Sequence, residues 1–373
     1  MLKTRNRAIF ARVCGRRFCM CECNEKLKTA IVGASGLVGE KILELLKNED
    51  FVYENPVLLC SEKSAGKTFD FNGKKIKAQK LNRDSFRNVD IALFATDERV
   101  SENFVPAAIR SGATVIDNST AFRLKKGVPL IVPELNFCDY SGQKLVSNPN
   151  CSTIQSVIPL YALNKKFGIK SVVCATYQSV SGSGKSGINS LKLSRKNVKN
   201  ANGGTSDFFG CDIKNNCIPK IGEFLSDGYT TEEKKMLCES RKILNVPRLK
   251  LSAFCVRVPA ENCHGVFLRV TTKREISLSE AVEAFGEYPE IKIVSKNDTA
   301  LGCPLNSLAN GTHTVFIGRI RKDIFEKNVI EFYAVADNLL RGAAYNAVLI
   351  ARKIAEYKNS EQKPAGAPFF LKA

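Results

Sequence analysis

The stretch "LKTAIVGASGLVGEKILELLKNE", residues 27–49, constrains the fold of this chain more than any other. A short apolar run leads into three glycines, Gly33, Gly36 and Gly39, and then Leu37, Ile42, Leu45 and Leu46 recur at helical spacing. The pattern is strand, turn, helix. Its G-x-x-G-x-x-G spacing departs from the G-x-G-x-x-G dinucleotide fingerprint, but the physics is shared. Glycines let backbone N–H groups approach a pyrophosphate, and the helix start supplies positive potential. Gly33, Ala34, Ser35, Gly36, Leu37 and Val38 are therefore the candidate cofactor turn. The segments "PVLLCSEKSAGK", "VDIALFAT", "ATVIDNST" and "KLVSNPN" follow as strands, with "ERVSENFVPAAIRSG" as a helix between two of them. Strands alternating with helices imply a parallel, right-handed, doubly wound α/β sheet of the Rossmann type.

The pattern changes after Cys151. "STIQSVIPLYALNKKFG" reads as a helix kinked at Pro159, and "TEEKKMLCESRKIL" as a second helix. Strand candidates are "KSVVCATYQSV", "RLKLSAFCVRVP", "HGVFLRVTTK", "THTVFIGRI" and "VIEFYAVAD". These imply an α+β unit with a mostly antiparallel sheet. The last segment, "NLLRGAAYNAVLIARKIAEYK", predicts a long helix that returns to the first unit. The expected division is a disordered basic extension over residues 1–24, a cofactor-binding domain over 25–150, a catalytic and dimerisation domain over 151–337, and the returning helix over 338–373.

A length of 373 residues with 44% hydrophobic content suits two globular domains. No apolar run approaches the roughly 18 residues of a membrane-spanning helix. The net charge of +19 raises the question of nucleic acid, but the basic residues are dispersed. Residues 1–19 hold six Lys/Arg and no acid, which leaves 50 basic against 37 acidic residues elsewhere, mostly without aromatic interleaving for base stacking. Small anionic ligands fit better than nucleic acid. Fourteen cysteines in a long chain without a clear secretory signal point to reduced thiols. "CMCEC", with Cys19, Cys21 and Cys23, has no partner cluster and reads as tail rather than metal site, so no metal is expected. The acid-free start resembles an organellar transit peptide but has little Ser and no amphipathic repeat, so a cytoplasmic chain is expected, with an organellar one as the alternative.

"SNPNCSTIQ" places Cys151 where Pro149 and Asn150 end a strand and a helix begins. A helix N-terminus favours thiolate, and there the ordinary thiol value of about 8.5 falls toward neutrality. Nucleophile and packed core cysteine both remain open on position alone. Two histidines, His264 and His313, are the candidate bases. His264 is preferred because Arg257, seven residues earlier, brings a carboxylate-binding guanidinium to the same neighbourhood. At the tip of the second strand, Ser61-Glu62-Lys63-Ser64 mixes an acid that suits a ribose hydroxyl with a cation that suits a 2′-phosphate. Lys63 between two hydroxyls favours NADP; a solvated loop lysine is the alternative.

"GASGLVG", "FRL" after "VIDNSTA", "SNPNCSTIQ", "YQSVSGSG", "ESRKIL", "VRVP" followed by His264, and "DNLLRGAAYNAV" together resemble the aspartate-semialdehyde dehydrogenase family, over about residues 27–357. The resemblance implies NADPH-dependent reductive dephosphorylation of 4-phospho-L-aspartate to L-aspartate 4-semialdehyde through a cysteine thioester. That step supplies lysine, diaminopimelate, threonine and methionine synthesis. It also implies Cys151 as nucleophile, Gln178 as the group orienting substrate and intermediate, and His264 as general acid/base. Arg257 and Glu239 would hold the α-carboxylate and amino ends, Arg123 and Lys242 the phosphate, and Asn150 would help place phosphate beside the thiol. Ser181, Gly182 and Asn338 fall near the cofactor, and a homodimer is implied. Lys63 stands where many relatives have arginine, and "SGSGKSG" replaces an SGAG-type turn.

An acyl phosphate is anionic at two ends, which independently calls for cations such as Arg123, Lys242 and Arg257. For Glu239 and Lys242, at i and i+3, a mere surface ion pair is the lesser alternative. Two rivals stay open. N-acetyl-γ-glutamyl-phosphate reductase shares the covalent logic but resembles "SNPGCY" at its cysteine. A basic, non-catalytic nucleic-acid-binding Rossmann protein would need neither Cys151 nor His264.

Overall fold

The computed structural model describes residues 27–47, 55–196 and 207–361. The basic extension with "CMCEC", most of the polar stretch between Arg195 and Gly210, and the chain beyond 361 lie outside them.

Six parallel strands form the first sheet: β1 (Thr29–Val32), β2 (Val57–Cys60), β5 (Gln79–Lys80), β6 (Ile91–Phe94), β7 (Thr114–Asp117) and β8 (Leu145–Ser147). Their order is β5-β2-β1-β6-β7-β8. Counted among the parallel strands alone this is 3-2-1-4-5-6, the doubly wound order whose direction reverses beside β1, where a cofactor crevice opens. A separate hairpin, β3 (Thr68–Phe71) with β4 (Lys74–Lys77), precedes β5.

Alternation along the strands sorts side chains to two cores. Ile31, Leu58, Leu93 and Ile116 face one side, where they meet helix α1 (Leu37–Leu46). Ala30, Val32, Leu59 and Phe94 face the other, beneath helix α2 (Glu98–Arg110). The inner strands β1, β6 and β7 are thus buried on both faces, which explains why they are largely apolar, whereas the edge strand β5 is polar and exposed.

The second sheet contains β9 (Ile169–Gln178), β10 (Lys250–Arg257), β11 (His264–Thr272), β12 (Ile291–Ile293), β13 (Val315–Lys322) and β14 (Val329–Ala336), in the order β10-β9-β11-β14-β13-β12. Three of its five pairings are antiparallel: β9 with β11, β11 with β14, and β13 with β14. One face is covered by helices α3 (Cys151–Phe167), α5 (Thr231–Ile243) and α6 (Leu278–Gly286), whose apolar residues join Val172, Cys174, Val266, Leu268 and Phe332 in one core. The opposite face keeps Val173, Tyr177 and Phe254 at 50%, 42% and 56% exposure. Helix α4 (Gly184–Arg195) follows β9 through a short turn at Val180–Ser183.

Helix α3 passes through Pro159, where the sequence predicts a kink, as a single element. At the C-terminal end a π-turn, Leu340–Ala344, leads into helix α7 (Tyr345–Glu361). Ala347, Val348, Ile350, Ala351 and Ile354 pack with Ile31 and Ile42 in the first sheet's core. Among the described residues no helix is long and apolar enough to cross a membrane, and no group of three or more His, Cys, Asp or Glu is placed to hold a metal.

Candidate active site

Register brings three of the expected residues together. Gln178 ends β9, Arg257 ends β10 and His264 begins β11, and Gln178 is the paired residue of both others. Neighbouring strands lie about 4.8 Å apart, so these side chains form a row at one edge of the sheet.

Cys151 is the first residue of α3, and Asn150 is its N-cap. Asn150 Oδ1 accepts the N–H groups of Ser152 and Thr153 at 2.9 and 3.1 Å. The thiol is half-buried, in the field of Arg257, Arg123 and Glu232. Surrounding protein and the Glu232 carboxylate raise its pKa to about 11, against the lowering effect of the two arginines and a backbone N–H. The sequence reading expects a depressed thiol at this helix start. The structure reverses that sign, because desolvation and a buried carboxylate outweigh the helix end and the cations.

His264 is fully buried. Its Nδ1 accepts the backbone N–H of Ser179 at 3.1 Å, so in the neutral ring the proton resides on Nε2. Nε2 has no partner among the described residues. Burial, then Arg257, lowers the imidazole pKa to about 3, which keeps the ring neutral at physiological pH. Only a glycine fits at position 182 beside this N–H: a Cβ there would lie 2.8 Å from Arg257 Nη1 and 3.2 Å from His264 Nε2. The backbone reverses just before the imidazole at Cys263, which holds φ +70 and donates its N–H to Asn338 Oδ1 at 3.0 Å. Asn338 Nδ2 donates to Ser181 Oγ at 3.0 Å, so Asn338 and Ser181 form one buried network behind the histidine. His313 lies elsewhere, exposed and stacked on Tyr345 with ring centroids 4.4 Å apart.

The cations are built in by carbonyls and one carboxylate. Arg123 is buried; its Nε donates to Asn148 O, Nη2 to Asn118 O, and Nη1 to Glu239 Oε1 at 2.9 Å. Three of the five N–H groups of a guanidinium are thereby engaged, and two remain for an anion. Glu239 Oε2 accepts the Asn150 N–H at 2.7 Å, so this carboxylate ties the arginine to the residue before the thiol. Lys242 Nζ donates to the carbonyls of Arg123 and Val128, both at 2.7 Å. It therefore pins the Arg123 loop rather than pairing with Glu239, and desolvation lowers its pKa. Arg257 Nη1 donates to Ser179 O at 2.6 Å.

Two residues of this site escape sequence reasoning. Glu232, buried at the start of α5, accepts from Asn150 Nδ2 at 2.7 Å and from Gln178 Nε2 at 3.3 Å. The only local signal is the helix start itself, where Thr230 and Glu233 form a capping box and Glu232 merely sits between them. Gly342, on the π-turn, is the other: a Cβ there would lie 2.7 Å from Cys151 Cβ.

The glycine turn after β1 has the form of a phosphate cradle. Gly33 has φ +85, and a Cβ there would meet Ala95 O at 2.4 Å; one at Gly39 would meet Gly33 O at 2.2 Å. Gly33 and Ala34 N–H groups hold Leu59 O, and Gly36 N–H holds Gly33 O. Gly36 caps α1 without a side-chain bond, which leaves the N–H groups of Leu37 and Val38 at an uncapped helix start. The backbone carbonyl of Ser35 accepts Lys185 Nζ at 2.9 Å. Ser61, Lys63 and Ser64 lie on the turn after β2, with Lys63 exposed, while Glu62 is paired with Lys80 at 2.8 Å. The acid at this tip is thus already matched, and the lysine is presented to solvent.

Comparison with known proteins places the chain in a family. Residues 28–142 match the family model "Semialdehyde dehydrogenase, NAD binding domain", and residues 160–341 match "Semialdehyde dehydrogenase, dimerisation domain". The aspartate-semialdehyde dehydrogenase of Aquifex aeolicus is 42% identical over 330 residues, covering 87% of this chain and 96% of that one. The crystal structure of aspartate semialdehyde dehydrogenase II from Vibrio cholerae superposes with a TM-score of 0.82 at 37% identity, covering 88% of this chain and 98% of that one. A second structure of the Vibrio cholerae enzyme, described as complexed with ASA, superposes with a TM-score of 0.81. With both family models matched in order and this identity over most of its length, the chain belongs to the aspartate-semialdehyde dehydrogenase family.

Proposed function

We propose that the chain carries out NADPH-dependent reductive dephosphorylation of 4-phospho-L-aspartate to L-aspartate 4-semialdehyde through a thioester on Cys151, a step toward lysine, threonine and methionine. One observation carries this reading: a cysteine at a helix start, in the field of Arg123 and Arg257, beside a row of Gln178, Arg257 and His264.

Arg257 holds the α-carboxylate in a bidentate fork, and the two remaining N–H groups of Arg123 hold the phosphate. Cys151 sulfur attacks the acyl carbon, the C–O bond to phosphate breaks, and the thiol proton leaves with the phosphate. Bound NADPH supplies the hydride that reduces the thioester to the thiohemiacetal level. His264, neutral and with its proton on Nε2, donates a hydrogen bond to the oxyanion in both steps, and the Cys151 N–H at the helix start is a second donor. Collapse of that oxyanion releases the aldehyde and a Cys151 thiolate, which takes a proton from water. The family resemblance implies His264 as general acid/base, and its low basicity supports the donor half of that role. Gln178 stands between Arg257 and His264 in the row, Asn150 and Glu239 hold the thiol and Arg123 in place, and Lys242 fixes the Arg123 loop.

The glycine turn would hold the NADP pyrophosphate on the N–H groups of Ser35, Leu37 and Val38, and Ser61, Lys63 and Ser64 would hold the 2′-phosphate. Ser181, Gly182 and Asn338 bound the nicotinamide end. The working division is a cofactor unit over residues 25–150, a catalytic and dimerisation unit over 151–337, and the returning segment from 338. The apolar face around Val173, Tyr177 and Phe254 supports a homodimer through the second sheet. The test is steady-state oxidation of aspartate semialdehyde with NADP, NAD and phosphate varied separately; turnover requiring phosphate and preferring NADP supports the reading, and phosphate-independent turnover contradicts it.

A further inference from the structure

The Gln178 amide has a fixed orientation. Its Nε2 lies 3.3 Å from Glu232 Oε1 and 3.3 Å from Thr176 Oγ1. A carboxylate can only accept, so nitrogen rather than oxygen must face Glu232. An amide nitrogen carries two N–H groups, and these two partners use both. What Gln178 can offer a ligand is therefore its carbonyl oxygen, an acceptor. The paired strand position is Arg257, about 4.8 Å away across the sheet. A ligand whose carboxylate lies in the Arg257 fork thus has its α-substituent next to an acceptor backed by a buried carboxylate. Glu239, the residue expected to receive the amino end, has one oxygen on Arg123 and the other on Asn150.

We propose that Glu232 is a positioning residue that holds the Gln178 amide carbonyl-first, and that this pair selects ligands bearing an ammonium beside the carboxylate gripped by Arg257. The inference rests on the functional reading above for the identity of the substrate, but not for the preference itself. The same carboxylate contributes to the high pKa of the thiol, so its removal has a second signature.

The test uses the full-length enzyme. Aspartate semialdehyde and succinic semialdehyde differ by the amino group alone, and the ratio of their kcat/KM values measures selection. Glu232→Gln should lower that ratio about 10–100-fold, the scale of a hydrogen bond to a charged group, mainly through KM. In a Gln178→Ala background the same change should lower it no further, because Glu232 acts through Gln178. Iodoacetamide labelling of Cys151 in Glu232→Gln should also shift to lower pH. Protection of Cys151 from iodoacetamide by L-aspartate against succinate reads the preference without turnover, and Glu232→Gln should abolish it. Should Glu232→Gln not fold, Thr176→Val removes the other amide partner and should lower the ratio about 2–10-fold. An unchanged ratio in these variants, or an equal loss in the Gln178→Ala background, overturns the proposal. Failure of the wild type to turn over either semialdehyde would instead overturn the functional reading, with the protection experiment still deciding the role of Glu232.

Discussion

The Cys151 thiol sits between two guanidinium groups that favour its thiolate and a carboxylate, with enclosing protein, that disfavour it; the second pair prevails and places its pKa at about 11. At pH 7 the thiolate fraction is then on the order of 10⁻⁴. Labelling of Cys151 by iodoacetamide should accordingly rise about tenfold per pH unit from pH 7 to 10, and a plateau by pH 8 would show a thiol far more acidic than this site allows. The position of the cysteine was legible from Pro149, Asn150 and the helix that follows. Its acidity was not, because the deciding charge, Glu232, comes from a helix 81 residues further along the chain. His264 makes a second residue-scale prediction. Its pKa falls from 6.5 to about 3 on burial, so between those values the unfolded chain binds a proton that the folded chain does not. The stabilisation this gives is complete above pH 6.5 and is lost as pH falls toward 3, at about 1.4 kcal/mol per pH unit. Urea unfolding of His264→Gln between pH 6 and 4 should show a slope flatter than wild type by about that amount.

Among the elements, helix α3 carries the most function, and its start is held from three sides: the Asn150 cap, Glu239 on the Asn150 N–H, and the π-turn at Gly342 packed on Cys151. Gly342→Ala should push that turn or the cysteine aside. We expect kcat to fall about 100-fold, the scale of a 1 Å misplacement, while NADP affinity measured by fluorescence titration stays within about twofold. Equal losses in kcat and NADP affinity would mean that the turn has a wider structural role. The inner strands of the first sheet, β1, β6 and β7, were readable because burial on both faces makes them largely apolar runs. The hairpin β3–β4 and strand β5 were not, since "KKIK" and "QK" are short, polar and mostly exposed, and β12 is only three residues long. The row of Gln178, Arg257 and His264 lies between these extremes. Each residue stands at the end of a recognisable strand, but the register that aligns them depends on pairings between distant segments.

For the whole molecule, one face of the second sheet is covered by helices and the other presents Val173, Tyr177 and Phe254 to water. Phe254→Asp combined with Val173→Asp should shift sedimentation from dimer toward monomer, and an unchanged dimer would place the interface elsewhere. The two sheets meet functionally at one point, where the turn after β8 delivers Cys151 to the row at the edge of the second sheet. The account stands or falls on a covalent bond at that point. The most direct measurement incubates the enzyme with aspartate semialdehyde and NADP without phosphate, followed by rapid quench and peptide mass spectrometry. The account predicts an aspartyl adduct on the peptide containing Cys151, discharged by added phosphate and absent from Cys151→Ala. An unmodified Cys151 peptide together with continued phosphate-dependent turnover by Cys151→Ala would contradict it.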